Sequence, residues 1–283
     1  MIHLLRIVIF SAFIILCIFL PFIPGRYDST SIIISFTAQV LSFSSLLLLP
    51  VGVIWILNDQ IKAGGSLQVR KNRTQGFLLA TLIILFFILS IVSLSAISLG
   101  NIFFGLMIFA ASCYGIFLIR KKGDDFQKYR IGQFNALAVY LVFIPLIVML
   151  ARFCFIKQAT QFSRNYAIKN SEVLIRDLEA YHKMHGFYLL SLYSVNKDYE
   201  PAVTGISHYV YEPLGKAYNL YFEQFSYQLD SKEIVMYNKL DEHTIASHEL
   251  DILENSGEQL ALRRGDRRRF DLPQPHRKVI WMD

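Results

Sequence analysis

Residues 134–186 read FNALAVYLVFIPLIVMLARFCFIKQATQFSRNYAIKNSEVLIRDLEAYHKMHG. The first half of this stretch is apolar and the second half is amphipathic. About 20 apolar residues in a helix cross a hydrocarbon core, and 134–156 supply that length. Each backbone amide in lipid must be satisfied within its own segment, so such a run is helical. From Ala159 to His185 no Pro or Gly interrupts the chain. A helical wheel gathers Ala159, Phe162, Tyr166, Val173, Leu174, Leu178, Tyr181 and Met184 on one arc, with Lys169, Glu172, Arg176, Glu179 and Lys183 opposite. Glu172–Arg176 and Glu179–Lys183 are i,i+4 pairs in the favourable order. Lys183 and His185 fall where the helix dipole favours cations, and Gly186 supplies a C′ stop. The pattern predicts one continuous helix over this whole stretch, membrane-embedded first and amphipathic afterwards.

Four further apolar runs precede it, at 4–23, 32–57, 77–99 and 102–119. With 134–156 they make about five transmembrane helices, a count set by the length a bilayer requires. The 54% hydrophobic content is accordingly uneven. Up to residue 156 the only acids are Asp28, Asp59, Asp124 and Asp125, whereas 157–283 reads as a mixed-charge globular sequence. The predicted organisation is a transmembrane domain over 1–156 and a soluble domain over 157–283. The first run ends in Pro21-Phe22-Ile23-Pro24-Gly25 rather than a small-x-small cleavage site, so it reads as a retained helix and not a signal peptide. Gly100-Asn101 reads as a tight turn between the third and fourth runs.

The net charge of +6 does not indicate a nucleic-acid partner. Residues 157–283 hold 16 Lys and Arg against 18 Asp and Glu, so the excess lies in short loops between apolar runs. Arg6, Lys62, Arg70, Lys71, Arg73, Arg120, Lys121, Lys122, Lys128 and Arg130 fall on one side of the predicted membrane. Arg26, Arg152, Lys157, Arg164 and Lys169 fall on the other. The positive-inside rule then places the N-terminus in the cytoplasm of a bacterial inner membrane. Five spans place the C-terminal domain on the periplasmic or extracellular side. Cys17, Cys113 and Cys154 all lie in apolar runs, which excludes a disulfide framework or a Cys zinc site in the soluble part.

Charged residues within spans mark pathways. Apart from Arg6 at the very start of the first, the spans contain only Arg152, near the outer end of the fifth, where a long side chain can snorkel. Ser90, Ser93, Ser95 and Ser98 crowd the third span, and Ala111-x-x-x-Gly115 gives the fourth a small-x-x-x-small face. Both features suit helix–helix packing.

Beyond Gly186, short runs rich in Tyr, Phe and Val predict strands at 207–211, 217–225, 233–237 and 279–282. Pro213-Leu214-Gly215 and Leu229-Asp230-Ser231 are the predicted turns, and Pro273-Gln274-Pro275 reads as an extended spacer. A long helix on a small antiparallel sheet is the α+β solution these elements imply.

The run Leu178-Glu179-Ala180-Tyr181, followed by Gly186-Phe187-Tyr188-Leu189 and Ser191-Leu192, resembles the end of the long helix in type IV pilins and type II secretion pseudopilins. That family shows (I/L)-x-A-Y, then G-x-Y-P, then S-L; Leu189 stands where it has proline. Glu212-Pro213-Leu214-Gly215-Lys216-Ala217-Tyr218 resembles the family's D-P-W-G-x-P-Y turn, which also leads into a strand. The resemblance covers roughly residues 134–225. Asp124-Asp125-Phe126 is not a processed prepilin leader, and four further spans precede the helix. The resemblance therefore implies a pilin-like fold on a permanent anchor rather than a filament subunit.

Candidate sites are few. His243 and His248, with Asp241, Glu242, Glu249 and Asp251, form the densest group of ligand-type residues, and His243, His248, Glu249 and Asp251 are the metal candidates. Their spacing fits a solvated acidic loop better than any metal motif. His182 and His185 stand three apart on the long helix. Arg263, Arg264, Arg267, Arg268 and Arg269 make a charged run able to meet lipid phosphates or an acidic partner. No G-x-S-x-G, P-loop, soluble Cys nucleophile or H-E-x-x-H is present, so no enzyme and no cofactor is predicted. The leading expectation is a membrane protein displaying its soluble domain for partner binding or envelope sensing, through an envelope protein or self-association. The alternative is a membrane-embedded component of a transport or secretion assembly.

Overall fold

Among the described residues of the computed structural model, five helices are long and apolar enough to cross a membrane: Ile2–Phe22, Ser29–Ile61, Asn72–Ser98, Ile102–Lys121 and Ala136–His185. The structure describes residues 2–61, 67–122, 130–131, 134–192, 198–226, 232–243 and 268–282. The helices are α1 (Ile2–Phe19, continued by a 3-10 turn at Leu20–Phe22), α2 (Ser29–Ser44), α3 (Leu49–Ile61), α4 (Leu67–Ser98), α5 (Ile102–Lys121) and α6 (Ala136–His185). The second apolar run is broken, with a 3-10 turn at Ser45–Leu48 between α2 and α3. Pro50 explains it, because its ring would collide with the carbonyl of Leu46 in a continuous α-helix. The chain tightens instead, and the Leu49 amide donates to the Leu46 carbonyl.

Two units share the chain: Met1–Leu20 with Thr30–Lys157, and Pro21–Ser29 with Gln158–Asp283. The loop 21–29, grouped with the membrane half from sequence, thus belongs to the C-terminal unit. α6 contributes to both. At about 1.5 Å per residue its 50 residues extend about 75 Å. It begins two residues later than the apolar pattern implies. Asn135, inside the predicted span 134–156, is the N-cap: its Oδ1 accepts from the Leu137 amide at 2.9 Å. The Asn135 amide itself donates to Asp59 Oδ2 at 3.0 Å. A short antiparallel pair, β1 (Arg130–Ile131) and β2 (Phe134–Asn135), leads into this cap.

In the first unit α4 and α5 form a tight hairpin. Gly100 turns it with φ +82°, and Asn101 Oδ1 accepts from the Phe104 amide at 3.0 Å. Gly105 sits so close to α4 that a Cβ there would lie 2.4 Å from Ile97 Cγ1 and 2.8 Å from the Ser93 carbonyl oxygen. Trp55 of α3 is fully buried and stacks on Phe77 of α4 at 5.3 Å between ring centroids.

In the second unit the later half of α6 packs on a five-stranded antiparallel sheet of order β3-β4-β5-β7-β6. Its strands are β3 (Val210–Pro213), β4 (Tyr218–Gln224), β5 (Lys232–Asn238), β6 (Arg268–Asp271) and β7 (Arg277–Met282). Leu220 opposes Tyr237, and Phe222 opposes Val235, which in turn opposes Val279. Successive strand residues alternate faces, so Tyr218, Leu220, Phe222, Val235 and Val279 meet Ala167, Ile168, Leu174 and Leu178 of α6 in one core. Ile234, Met236 and Ile280 form a smaller cluster from the alternate register positions. The loop 21–29 joins this unit by backbone bonds: Gly205 N to Pro21 O, Thr204 N to Ile23 O, and Gly25 N to Ala202 O, all within 3.0 Å.

Three sequence expectations change. The packed stripe of α6 runs through Thr160, Ser163, Ala167, Ser171, Leu174 and Leu178, while Phe162, Val173 and Met184 are exposed. Pro273-Gln274-Pro275 belongs to a hairpin turn rather than a spacer: the Leu272 amide donates to the Arg277 carbonyl, and His276 adopts φ +60°. Arg268 and Arg269, outside the strands predicted from sequence, stand in edge strand β6. The predicted turn at 229–231 lies outside the described residues.

Candidate functional site

Arg152 is the residue that sequence reasoning placed at the lipid boundary and the structure places inside. It is only 6% exposed. Its Nη2 and Nε donate to Gln39 Oε1 at 3.2 and 3.4 Å, and its guanidinium lies 4.5 Å from the centroid of the Phe43 ring. A cation out of water needs acceptors or aromatic faces in place of hydration. Gln39 and Phe43 supply both from α2. Gln39 Nε2 in turn donates to Ser35 Oγ at 3.3 Å, and Ser35 donates to the Ile18 carbonyl at 2.6 Å. The chain of bonds ties α6 to α2 and α2 to α1. Ser31, Ser35, Gln39 and Ser42 are all buried on one stripe of α2. Their i,i+4 and i,i+3 spacing is the one feature of the sequence that could have found Arg152's partner.

The serines of α4 are different. Ser90 donates to Phe86 O, Ser95 to Val92 O and Ser98 to Ser95 O, all within the helix, while Ser93 donates to Gly105 O across the hairpin. Each hydroxyl proton is engaged by a backbone carbonyl, and among these four Ser93 alone bonds across to α5.

In the second unit, charge is buried between helix and sheet. Glu233 on β5, 1% exposed, pairs with Arg164 of α6. Burial pushes the Glu233 carboxyl above its ordinary range, and Arg164 partly opposes that rise. Beside it, Gln224 Nε2 donates to Ser163 Oγ at 3.0 Å. Glu179 receives the Tyr188 and Tyr218 hydroxyls and Lys239 Nζ, the last at 2.6 Å. Burial raises the Tyr211 and Tyr221 phenols to about 12, with a nearby phenol adding for Tyr211 and Glu212 adding for Tyr221. Arg277 of β7 is buried, and its guanidinium is held below its ordinary range by desolvation.

The metal candidates do not assemble among the described residues. His243 is buried, with Nδ1 3.0 Å from the Asp241 carbonyl oxygen and Nε2 3.2 Å from that of His276. Both ring nitrogens therefore face backbone acceptors, a structural role. His248, Glu249 and Asp251 lie outside the described residues. His182 stacks on Tyr188 and His185 on Tyr181, each at 4.1 Å between centroids. No group of three or more His, Cys, Asp or Glu able to hold a metal forms among the described residues. Arg263, Arg264 and Arg267 also lie outside them. The register sets Arg268 opposite Trp281 and Arg269 opposite Ile280, consecutive positions of one strand. Charge on an edge strand deters pairing with another sheet.

No family model matches the chain, and comparison with curated proteins and with solved structures returned no match. Nothing among the described residues points to catalysis. The three cysteines are free thiols on α1, α5 and α6.

Proposed function

We propose that the chain is an integral protein of a bacterial inner membrane that presents a pilin-like domain on the extracytoplasmic side, to bind an envelope partner. The carrying observation is α6, a single helix of 50 residues whose first part belongs to the membrane unit and whose later part is the spine of the sheet unit. A helix that anchors and also forms a core couples the displayed domain directly to the membrane. The helix-on-antiparallel-sheet arrangement supports the pilin-like reading. So does Gly186 ending the helix at φ +80°, and Gly215 turning at φ +77° between β3 and β4.

The side of the membrane is supported by parity. Loop 21–29 is hydrogen-bonded to Ala202, Thr204 and Gly205, so the two segments share one side of the bilayer. Four spans separate them in the chain, an even number that returns it to that side. The positive-inside rule makes that side extracytoplasmic. Candidate partner contacts are the exposed surface of the sheet unit and the run Arg263–Arg269. The engaged serines of α4 argue against the alternative of a transport or secretion component working through its spans.

The test is crosslinking of the full chain in its native membrane, followed by mass spectrometry. Envelope proteins crosslinked through 157–283 are the expected result. Crosslinks confined to the spans and joining copies of this chain would overturn the proposal.

A further inference from the structure

Among the described residues of α5, Gly105 alone is buried, against Ser93 and Ile97 of α4. Farther along, a groove of about 380 Å³ lies between the two helices, lined by Leu85 and Leu89 of α4 and by Ile108, Ala111, Gly115 and Ile119 of α5. The small-x-x-x-small face of α5 opens into this groove instead of packing on α4: nothing lies within 4 Å of a Cβ added at Gly115. A water's share of liquid volume is about 30 Å³, so the groove has room for a chain of carbons. The hydroxyl of Ser112, also on the lining, donates to the Ile108 carbonyl at 2.6 Å, which leaves the groove a hydrocarbon surface.

The groove has a direction. Its α5 residues recur at steps of three and four, and the same face continues to Arg120, four after Ile116, and to the C-cap Lys122, three after Ile119. Arg120, Lys121 and Lys122 are all exposed. Asp124 and Asp125 follow outside the described residues, and residues 120–130 still carry five cations against two acids. From Ile108 to Ile119 the helix rises about 16 Å at about 1.5 Å per residue. Half of a hydrocarbon core about 30 Å thick is about 15 Å. The groove thus has the depth of one leaflet, with cations at its headgroup end. An apolar chain ending in negative charge at that level is the chemistry of an anionic phospholipid. A second copy of α5 fits less well. Copies in one membrane share an orientation, so a two-fold contact across the groove runs the helices parallel and brings both sets of cations to one level, where like charges repel.

We propose that this groove binds an anionic phospholipid, with an acyl chain along Ile108–Ile119 and the phosphate met by Arg120 and Lys122. The site rests on α4 and α5 being membrane spans, as proposed above.

The test uses the full chain in detergent and native mass spectrometry, with phosphatidylglycerol and phosphatidylcholine of the same acyl chains supplied in equal amounts. One phosphatidylglycerol per chain is expected, preferred about tenfold or more because two cations stand near its head group. Lys122→Gln should lower that preference about fivefold, the effect of one such cation. Gly115→Leu fills the groove without changing charge and should abolish retention of the lipid. Equal retention of the two lipids, or retention unchanged in Gly115→Leu, overturns the site; so does a chain dimer that the same substitution dissociates. Should the variant fail to fold, the unsubstituted chain in phosphatidylglycerol vesicles is photolabelled by a diazirine on the acyl chain. Adducts gathered on residues 108–119 are expected, and adducts spread evenly over all five spans overturn the site. Release of the chain from membranes by alkaline carbonate would overturn the spans themselves, a result distinct from these.

Discussion

Replacing Gln39 by Leu removes one acceptor of Arg152 while keeping nearly the same side-chain volume. The guanidinium stays buried with the Phe43 ring at 4.5 Å, but loses both bonds to Gln39 Oε1. A hydrogen bond to a charged group contributes about 1.5–3 kcal/mol in protein interiors. Interhelical bonds in membranes average about 0.6 and reach about 1.7 kcal/mol. The structure therefore sets the loss for Gln39→Leu near 2 kcal/mol, a large fraction of net stability. Arg152→Met costs less, about 1 kcal/mol, because the Gln39 amide left behind is neutral and already donates to Ser35. The double variant should recover part of the Gln39→Leu loss, since the cation that lost its bonds to Gln39 is then gone as well. Unfolding by SDS titration from mixed micelles, followed by circular dichroism, gives the three free-energy differences. A larger loss from Arg152→Met than from Gln39→Leu, or two losses that simply add, would contradict a buried bond between these side chains.

Other outcomes follow from single contacts. Leu174→Ala, at a fully buried position of the α6 stripe, should cost about 2–5 kcal/mol, whereas Val173→Ala, 44% exposed, should stay within about 0.5; equal losses in a denaturant titration would place the packed face elsewhere. Gly105→Ala puts a Cβ against α4 backbone and should open the α4–α5 hairpin, while at Gly115 nothing lies within 4 Å of an added Cβ. Gly115→Ala should therefore be neutral or stabilising by up to about 1 kcal/mol, as compared by thermal unfolding. The sheet unit should lose stability in alkali. Tyr211 and Tyr221 ionise near 12 when folded against about 10 when unfolded, so their contribution is complete below pH 10 and disappears as pH climbs through 12. The phenolate absorbance lost in a Tyr211→Phe, Tyr221→Phe variant, taken by difference, should appear only together with loss of circular dichroism; its appearance in a still-folded chain near pH 10 would contradict the burial.

Period and length made the long elements legible. A run of 20 or more apolar residues admits only a helix, and Gly100, Gly186 and Gly215 each occupy the left-handed conformation their turns require. The orientation of α6 was less legible because the wheel was weighted by apolar residues. Thr160, Ser163 and Ser171 are buried in the stripe. Ser163 and Ser171 donate back to Thr160 O and Ile168 O, which removes their need for water. β6 was missed because Arg268-Arg269-Phe270-Asp271 carries no alternation; it is a strand through pairing with β7, a tertiary effect on a weak local preference. Arg152's partner was hidden for a related reason: one Gln among serines looks incidental until α2 and α6 are side by side. The interior pair of Arg164 and Glu233 had no local signal either, being 69 residues apart.

The most direct measurement is the sidedness of two single cysteines in a chain lacking Cys17, Cys113 and Cys154. One replaces Leu190, 87% exposed beyond the end of α6, and the other replaces exposed Lys122 just after α5. In intact spheroplasts a membrane-impermeant maleimide should label Leu190→Cys at once and Lys122→Cys only after lysis. Labelling of Lys122→Cys first, or of both from outside, would contradict an extracytoplasmic domain carried on five spans.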